Sequence, residues 1–400
     1  MPQIHQDIES SARIRVVGIG GSGKNAVNHM MSAKVKGVDF AVVNTDAQDL
    51  AQSQAKTKIH VGKNLTRGLG AGMNPEIGKR AAEETLAEIQ DALRGSDMVF
   101  IAGGMGGGTG TGASPVVARL AKELGALTIA VVTKPFSFEG QQRMRLAEQG
   151  LEELRKEVDA LIVIPNDRLL AVVDQNTTVK SAFAMCDEIL RQAVEGVSDL
   201  ITTPGSINLD FADIKAIMEE AGSALMGVGI GSGDKRAEEA ARMAINSPLL
   251  DISIAGAKGV LLSIAGGEDL GLLEVQAAAQ IVTETIDKNA KVIFGTSKDD
   301  RLKRGEVRVT VIATGFADEP GASRGAPLFQ MNTKKGKGGR EEDEHAGRIY
   351  NTVLPSEEEP GAAAEKEEGA SKKTTPKAVD EEDDWSAVPA FLRRSRKGQE

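Results

Sequence analysis

Ala102-Gly103-Gly104-Met105-Gly106-Gly107-Gly108-Thr109-Gly110-Thr111-Gly112-Ala113-Ser114 is the stretch on which the reading of this chain turns. An apolar run with strand character, Asp97–Ala102, leads straight into it, and a helical pattern, Ala113–Leu124, leads out. Glycines let successive amides turn inward, which makes a concave anion nest at the positive N-terminus of a helix. Thr109 and Thr111 add hydroxyl donors without charge. A plain turn needs fewer glycines, since each adds to the entropy lost on folding. A flexible linker does not fit, because apolar strand and helix flank the run directly.

A second glycine cluster lies upstream, Gly18-Ile19-Gly20-Gly21-Ser22-Gly23-Lys24-Asn25, again between a strand (Arg13–Gly20) and a helix (Asn25–Ser32). Gly18, Gly20 and Gly23 fit the G-x-G-x-x-G spacing, and Asp46 ends the next strand where a ribose-binding acid belongs. The same residues nearly fit a P-loop, but Asn25 stands where that motif holds a Ser/Thr for Mg²⁺. The loop points to phosphate or ribose binding without fixing the nucleotide. A tight turn required only for strand-to-helix packing is the alternative.

Outward from these loops, strand patterns fall at Val38–Thr45, Lys58–Val61, Leu127–Thr133 and Leu161–Pro165. Helical patterns fall at Gly78–Leu93 and Gln141–Val158. Near-continuous apolar strands separated by helices predict a parallel sheet covered on both faces, with ligands at the carboxyl ends of its strands. A long helix, Thr178–Leu200, then connects to a second α/β block. Its strands lie near Leu225–Ile230, Gly259–Ile264, Lys291–Phe294 and Glu306–Ala313, with fewer helices between them, so a mixed sheet is expected.

Composition bounds the possibilities. The chain has 400 residues, enough for two core-forming domains and more. Aromatics are only 3%, so the core must be aliphatic. A net charge of −10 argues against a nucleic-acid binder. The one cysteine, Cys186, excludes an internal disulfide and fits a reducing cytosol. The start carries acids and no apolar core of a secretory signal, and no apolar stretch reaches membrane-spanning length, so no direct membrane insertion is expected. Residues 318–382 are rich in Glu, Lys, Gly, Ala and Pro, a composition expected to stay disordered. An apolar block returns at Trp385–Arg394.

The run Gly106–Gly112 after a strand resembles the tubulin-type signature, and its surroundings resemble the FtsZ family of bacterial tubulin-like division GTPases. The resemblance covers Arg13 to about Phe316 and the terminal peptide as well. It implies a tubulin-like α/β fold. A Rossmann-type GTP-binding domain (13–177) follows a flexible segment (1–12), and a central helix (178–202) leads to a smaller mixed-sheet domain (203–317). A disordered linker (318–382) and a partner-binding peptide (383–400) complete the chain. It implies GTP and GDP as ligands with Mg²⁺, bound by Gly20, Gly21, Ser22, Gly23, Lys24, Asn25, Gly104, Gly106, Gly107, Gly108, Thr109 and Gly110. Thr45 and Asp46 would lie near the ribose, and Ala71 and Gly72 would present amides to the γ-phosphate. Thr133, Pro135, Glu139 and Arg143 would form the ribose-side loop, although Glu139 and Arg143 also read as a surface i,i+4 ion pair.

Asn166, Phe183 and Asp187 would form the base pocket. Phe183 and Asp187 share one helix face, so a ring can stack on the purine while the carboxylate accepts guanine's N1–H and exocyclic amino group. Adenine offers neither donor. Taken alone, Phe183 reads as core and Asp187 as a solvated helix charge. Asp210 and Asp213, with Asn208, would complete hydrolysis on the nucleotide of the next molecule, although taken alone they read as an N-cap with first-turn acids. A contact of that kind repeats head to tail into a filament. The peptide Val388-Pro389-Ala390-Phe391-Leu392-Arg393 would dock on a membrane tether such as the actin-like FtsA, placing the protein in the cytoplasm at the division site.

Two rivals differ in class. A Rossmann oxidoreductase using Gly18–Gly23 needs a hydride-transfer constellation, and the histidines (His5, His29, His60, His345) are scattered. A non-catalytic tubulin-like filament needs no acids at 210 and 213.

Overall fold

The fold is taken from a computed structural model, which describes residues 12–170, 176–203, 207, 209–248, 250, 253–299 and 301–316. The expected linker, terminal peptide and Asn208 lie outside the described residues. The first half runs β1 (Ile14–Ile19), α1 (Gly20–Ser32), β2 (Val38–Asn44), α2 (Ala47–Ala51), β3 (Thr57–His60), α3 (Lys63–Thr66), α4 (Pro75–Glu84), α5 (Leu86–Leu93) and β4 (Met98–Gly104). It continues with α6 (Thr109–Glu123), β5 (Leu127–Lys134), a 3-10 turn (Ser137–Glu139), α7 (Gln141–Glu157), β6 (Ala160–Pro165) and α8 (Asn166–Leu169). The long α9 (Val179–Thr202) follows, capped by the Thr178 hydroxyl accepting from Ser181 N–H. Then come α10 (Phe211–Met218), β7 (Gly222–Ser232), α11 (Arg236–Ile245), β8 (Gly259–Gly266), α12 (Leu272–Thr285), β9 (Lys291–Lys298) and β10 (Glu306–Thr314).

The strands form one sheet in the order β3-β2-β1-β4-β5-β6-β7-β10-β8-β9. From β3 to β6 every pairing is parallel. The start of β7 continues that ladder, pairing parallel with β6 at Gly222–Ala224, and the rest of β7 pairs antiparallel with β10. β10 is antiparallel to β8, and β8 parallel to β9, which makes the second half mixed.

Successive strand residues point to opposite faces, and the core divides accordingly. Val16, Val42, Phe100 and Ile162 pack toward α1 and α9 against Val27, Met30 and Ile189. Their neighbours Val17, Val43, Ile101 and Leu161 pack the other way, against Val116, Val117 and Leu154 of α6 and α7. The same α9-side core runs on under the second half through Met226, Leu261 and Ile312. The cores are aliphatic, with Phe100 and Phe136 the largest fully buried side chains.

Two expectations need correction. The single helix expected at Gly78–Leu93 is two, α4 and α5, broken at Thr85, whose hydroxyl turns back to donate to Ala81 O. This is the local competition by which Thr interrupts a helix. The second half also holds more helix than its strand-rich pattern suggested, with α11 and α12 filling the β7–β8 and β8–β9 connections. Their alanine-rich inner faces (Ala237, Ala240, Ala241, Ala244) give a weak apolar signal but allow close packing.

Candidate active site

A cavity of about 470 Å³ opens at the carboxyl ends of β1, β4, β5 and β6, within the usual range for small-molecule sites. One end is walled by the two glycine loops. Gly20 starts α1 at φ +72°, a left-handed turn that suits glycine. Gly21, Ser22 and Asn25 then line the cavity from the first turns of α1. Gly104, Gly107, Gly108, Thr109 and Gly110 line it from the second loop and the first turn of α6.

Neither helix has a side-chain cap: Ile19 precedes α1, Gly108 precedes α6, and neither offers a capping hydrogen bond. The first amides of a helix lack intrahelical acceptors. Two such N-termini therefore present donors and positive dipole ends to one cavity.

Thr133, Pro135, Glu139 and Arg143 wall the middle. Glu139 pairs with Arg143 at 2.5 Å and also accepts from Phe136 N–H at 2.9 Å. The i,i+4 pair and the cavity lining, set against each other in the sequence, are thus both present. At the far end stand Asn166, Phe183, Cys186 and Asp187. Asn166 Oδ1 is buried and has no hydrogen-bond partner. Burial pushes the Asp187 carboxyl up to about 7, opposed first by His29 and then by Lys24. Phe183 keeps an open face, while Phe136 meets it edge-on at 5.4 Å and stacks on Phe138 at 4.9 Å. The far end therefore offers one aromatic surface and two acceptors.

Several expected residues stand outside this wall. Lys24 is buried and paired with Asp49 at 2.5 Å, and Asp49 also accepts from Asn44 Nδ2 at 2.7 Å. It is committed to an internal partner. Asp46 caps α2, accepting from Gln48 and Asp49 N–H. Thr45 is fully buried, its hydroxyl 2.6 Å from that of Thr109, so it supports a lining residue from behind. Gly23 packs under the loop against Gly18 and Ala102, and Gly106 lies against the backbone of Arg143. Ala71 and Gly72 belong to a loop pressed on Gly108.

Asp210 is exposed and Asp213 half-buried, and neither lines the cavity. They form a capping box on α10, with Asp213 N–H donating to Asp210 Oδ1 at 2.8 Å and Asp210 N–H to Asp213 Oδ2 at 3.4 Å. Ile19, Met105 and Cys186 line the cavity without having been expected to. Cys186 donates to Ala182 O, and burial pushes its thiol up, which makes it unreactive.

Strand tips and two uncapped helices meeting at one cavity, with unmet acceptors at its far end, define a nucleotide-binding α/β protein. The model of the Tubulin/FtsZ family GTPase domain matches residues 13–174, and that of the FtsZ family C-terminal domain matches residues 222–317. The empty FtsZ dimer of M. jannaschii is 49% identical, over 76% of this chain and 88% of that one, with a TM-score of 0.73. A point mutant of that FtsZ is also 49% identical, over 76% and 91%, with a TM-score of 0.74. CetZ1 of Haloferax volcanii, a GDP-bound monomer, shares the fold at 22% identity, over 77% and 96%, with a TM-score of 0.68. The chain belongs to the Tubulin/FtsZ family and is a GTPase of that family.

Proposed function

We propose that the cavity holds GTP with its phosphates on the glycine loops and its base between Phe183, Asn166 and Asp187. The observation that carries this is the unpartnered Asn166 Oδ1 beside Asp187, at the opposite end of one cavity from two uncapped helix N-termini. Guanine brings the N1–H and amino donors that these acceptors lack. Neither nearby cation is unpaired, since Lys24 holds Asp49 and Arg143 holds Glu139. Amide dipoles therefore carry most of the phosphate binding.

The donors at the glycine end are neutral oxygens of Ser22, Asn25 and Thr109, and no group of three His, Cys, Asp or Glu gathers among the described residues. That set suits Mg²⁺, which keeps its waters and rides on phosphate oxygens. Ser22 Oγ and the Asn25 amide, which line that end, would hold it or its waters. When bound, it supplies charge neutralisation for the phosphates.

We further propose that hydrolysis is completed between molecules. Carboxylates beside a triphosphate would repel it, whereas Asp210 and Asp213 delivered by a neighbouring copy can orient and polarise water only on assembly. The weak 3.4 Å arm of the capping box leaves Asp213 free to do so. Repetition of that contact gives a head-to-tail filament, in keeping with the protofilament that CetZ2 of Haloferax volcanii forms. The division-ring role, residence in the cytoplasm at the division site, and docking of Val388–Arg393 on a tether such as FtsA follow from family membership and belong to this proposal. So does the division of the chain at 177, 202 and 317. Among the described residues no helix is long and apolar enough to cross a membrane, which leaves membrane contact to that tether.

The test is phosphate release and light scattering at rising protein concentration. Turnover per molecule should climb above a threshold together with assembly. A rate independent of concentration would return Asp210 and Asp213 to their capping role and favour hydrolysis within one molecule.

A further inference from the structure

Three buried hydroxyls stand one behind another at the second glycine loop. Thr109 is the first residue of α6 and lines the cavity. Its Oγ1 lies 2.6 Å from that of Thr45, which follows β2 and is fully buried. Thr66, at the end of α3, donates from Oγ1 to Thr45 O at 3.2 Å and to Gly62 O at 3.0 Å. It also accepts from Gly68 N–H at 3.3 Å. The 62–68 turn therefore holds Thr45 by its backbone, and Thr45 meets the glycine loop through its side chain.

The surroundings of the Thr45–Thr109 pair decide which hydroxyl donates. A hydroxyl carries one proton and two acceptor positions. Among the described residues the Thr45 hydroxyl has no hydrogen-bond partner except Thr109. Were Thr109 the donor, the Thr45 proton would be buried with no acceptor, which is unfavourable for a buried polar group. Donation by Thr45 satisfies both residues, because Thr109 then keeps its own proton for the cavity it lines. Thr109 does not turn back along its helix either. Ser114, farther along α6, spends its hydroxyl on Gly110 O in the common helical manner. A hydroxyl that accepts one hydrogen bond is polarised and donates the next more strongly.

We propose that Thr45 is a positioning residue for phosphate binding: it donates to Thr109 Oγ1 from behind and so aims the Thr109 proton at a phosphate oxygen of the nucleotide. This rests on the phosphates lying on the glycine loops. Thr45 acts without touching the nucleotide, since it is fully buried behind the wall. An oriented neutral donor counts for more here because Lys24 and Arg143 are both paired, which leaves amides and hydroxyls to meet the phosphate charge.

The experiment is calorimetric affinity for GDP and, as a probe without phosphate, for guanosine. It compares the wild type with Thr45→Val, Thr45→Ser, Thr109→Val and the Thr45→Val/Thr109→Val double variant. Thr45→Val should weaken GDP by about threefold to tenfold, the range of one net hydrogen bond, and leave guanosine unchanged. Thr45→Ser keeps the donor and should bind GDP almost as the wild type does. In the double variant the change at Thr45 should add nothing to Thr109→Val, because the hydroxyl it orients is gone. A Thr45 that only fills space would weaken GDP and guanosine together, and its loss would add to that of Thr109→Val. Either result overturns the proposal, as does unchanged GDP affinity in Thr45→Val. If Thr45→Val fails to fold, Thr45→Ala and Thr45→Ser, which differ by the hydroxyl alone, make the same comparison. The phosphate reading fails separately: Thr109→Val would then bind GDP as tightly as the wild type.

Discussion

Ala71 and Gly108 are pressed together so closely that a Cβ on Gly108 would lie 2.8 Å from the Cβ of Ala71 and 2.9 Å from the Asn74 amide. A side chain at 108 would therefore collide with the 71–74 loop. Gly107, its neighbour, has nothing within 4 Å of the same position.

These two glycines should therefore separate folding from binding. Gly108→Ala should displace the loop, lowering stability by about 1–3 kcal/mol, the usual cost of overpacking, and weakening GDP affinity as well. Gly107→Ala should leave the unfolding midpoint of the nucleotide-free protein almost unchanged while weakening GDP. Denaturant melts with and without GDP provide the check. Normal GDP binding by Gly107→Ala would show that the phosphates lie elsewhere.

Asp187 predicts how binding depends on pH. Burial pushes its carboxyl up to about 7, and the proposed base reading needs it ionised, so GDP affinity should fall by up to about tenfold per unit as pH drops below that value. Because the folded value lies above the ordinary one, the group's contribution to stability is full at acid pH and is lost as pH rises through about 7. Asp187→Asn should therefore raise the melting temperature of the nucleotide-free protein at pH above about 7 while weakening GDP. A lower melting temperature at that pH would contradict the burial argument.

The α10 acids can be tested by separating cap from chemistry. Asp213→Asn keeps an acceptor for Asp210 N–H, so stability should hold while hydrolysis collapses. Asp213→Ala should lose hydrolysis with little loss of stability, because the stronger arm of the box, from Asp213 N–H to Asp210 Oδ1, is made by the backbone and survives. Copolymers of Asp213→Ala with Gly107→Ala, each nearly inactive alone, should recover part of the activity, because some junctions pair an intact cavity with an intact Asp213. Absence of recovery in well-mixed copolymers would remove the trans mechanism.

Arg191 binds two buried carboxylates at once. Arg191→Met should destabilise by about 3–5 kcal/mol, the cost of leaving buried acids uncompensated. The loss should shrink in a triple variant that also carries Glu188→Gln and Glu195→Gln. Urea melts of the single and triple variants decide this.

Much of the site was legible because local rules produce it. A glycine run between an apolar strand and a helix can do little but expose amides, and Phe183 and Asp187 share a face by helical periodicity alone. Lys24 and Asp46 stand outside the cavity wall, each held by another partner that proximity to a loop in sequence does not reveal. Lys24 turns to Asp49, 25 positions away. Asp46 was readable as a helix cap, since it stands directly before the short helix whose amides it receives, but the ribose pattern competed for it. The buried ion pairs of α9 were missed because charges on a long helix ordinarily face solvent. Their spacing on an otherwise apolar face, at 188, 191 and 195, was the available signal. The second half was less clear because alanine and glycine pack helices on strands without a strong apolar pattern.

The pairing of β7 also has a mechanical side. Three rungs join it to β6, whereas eight join it to β10 and six join β5 to β6. A sheet this broad thus has a perforation across its middle, at Ala160–Ile162 against Gly222–Ala224. Tension along a filament would find the subunit weakest there, and each half could yield as an intact plate while α9 stayed as a cord between them. Optical-trap pulling on handles in the two halves should show a first, small extension at low force, before either half unravels. A strand register that tears this easily would let a polymer under load give way inside its subunits and heal, rather than lose them.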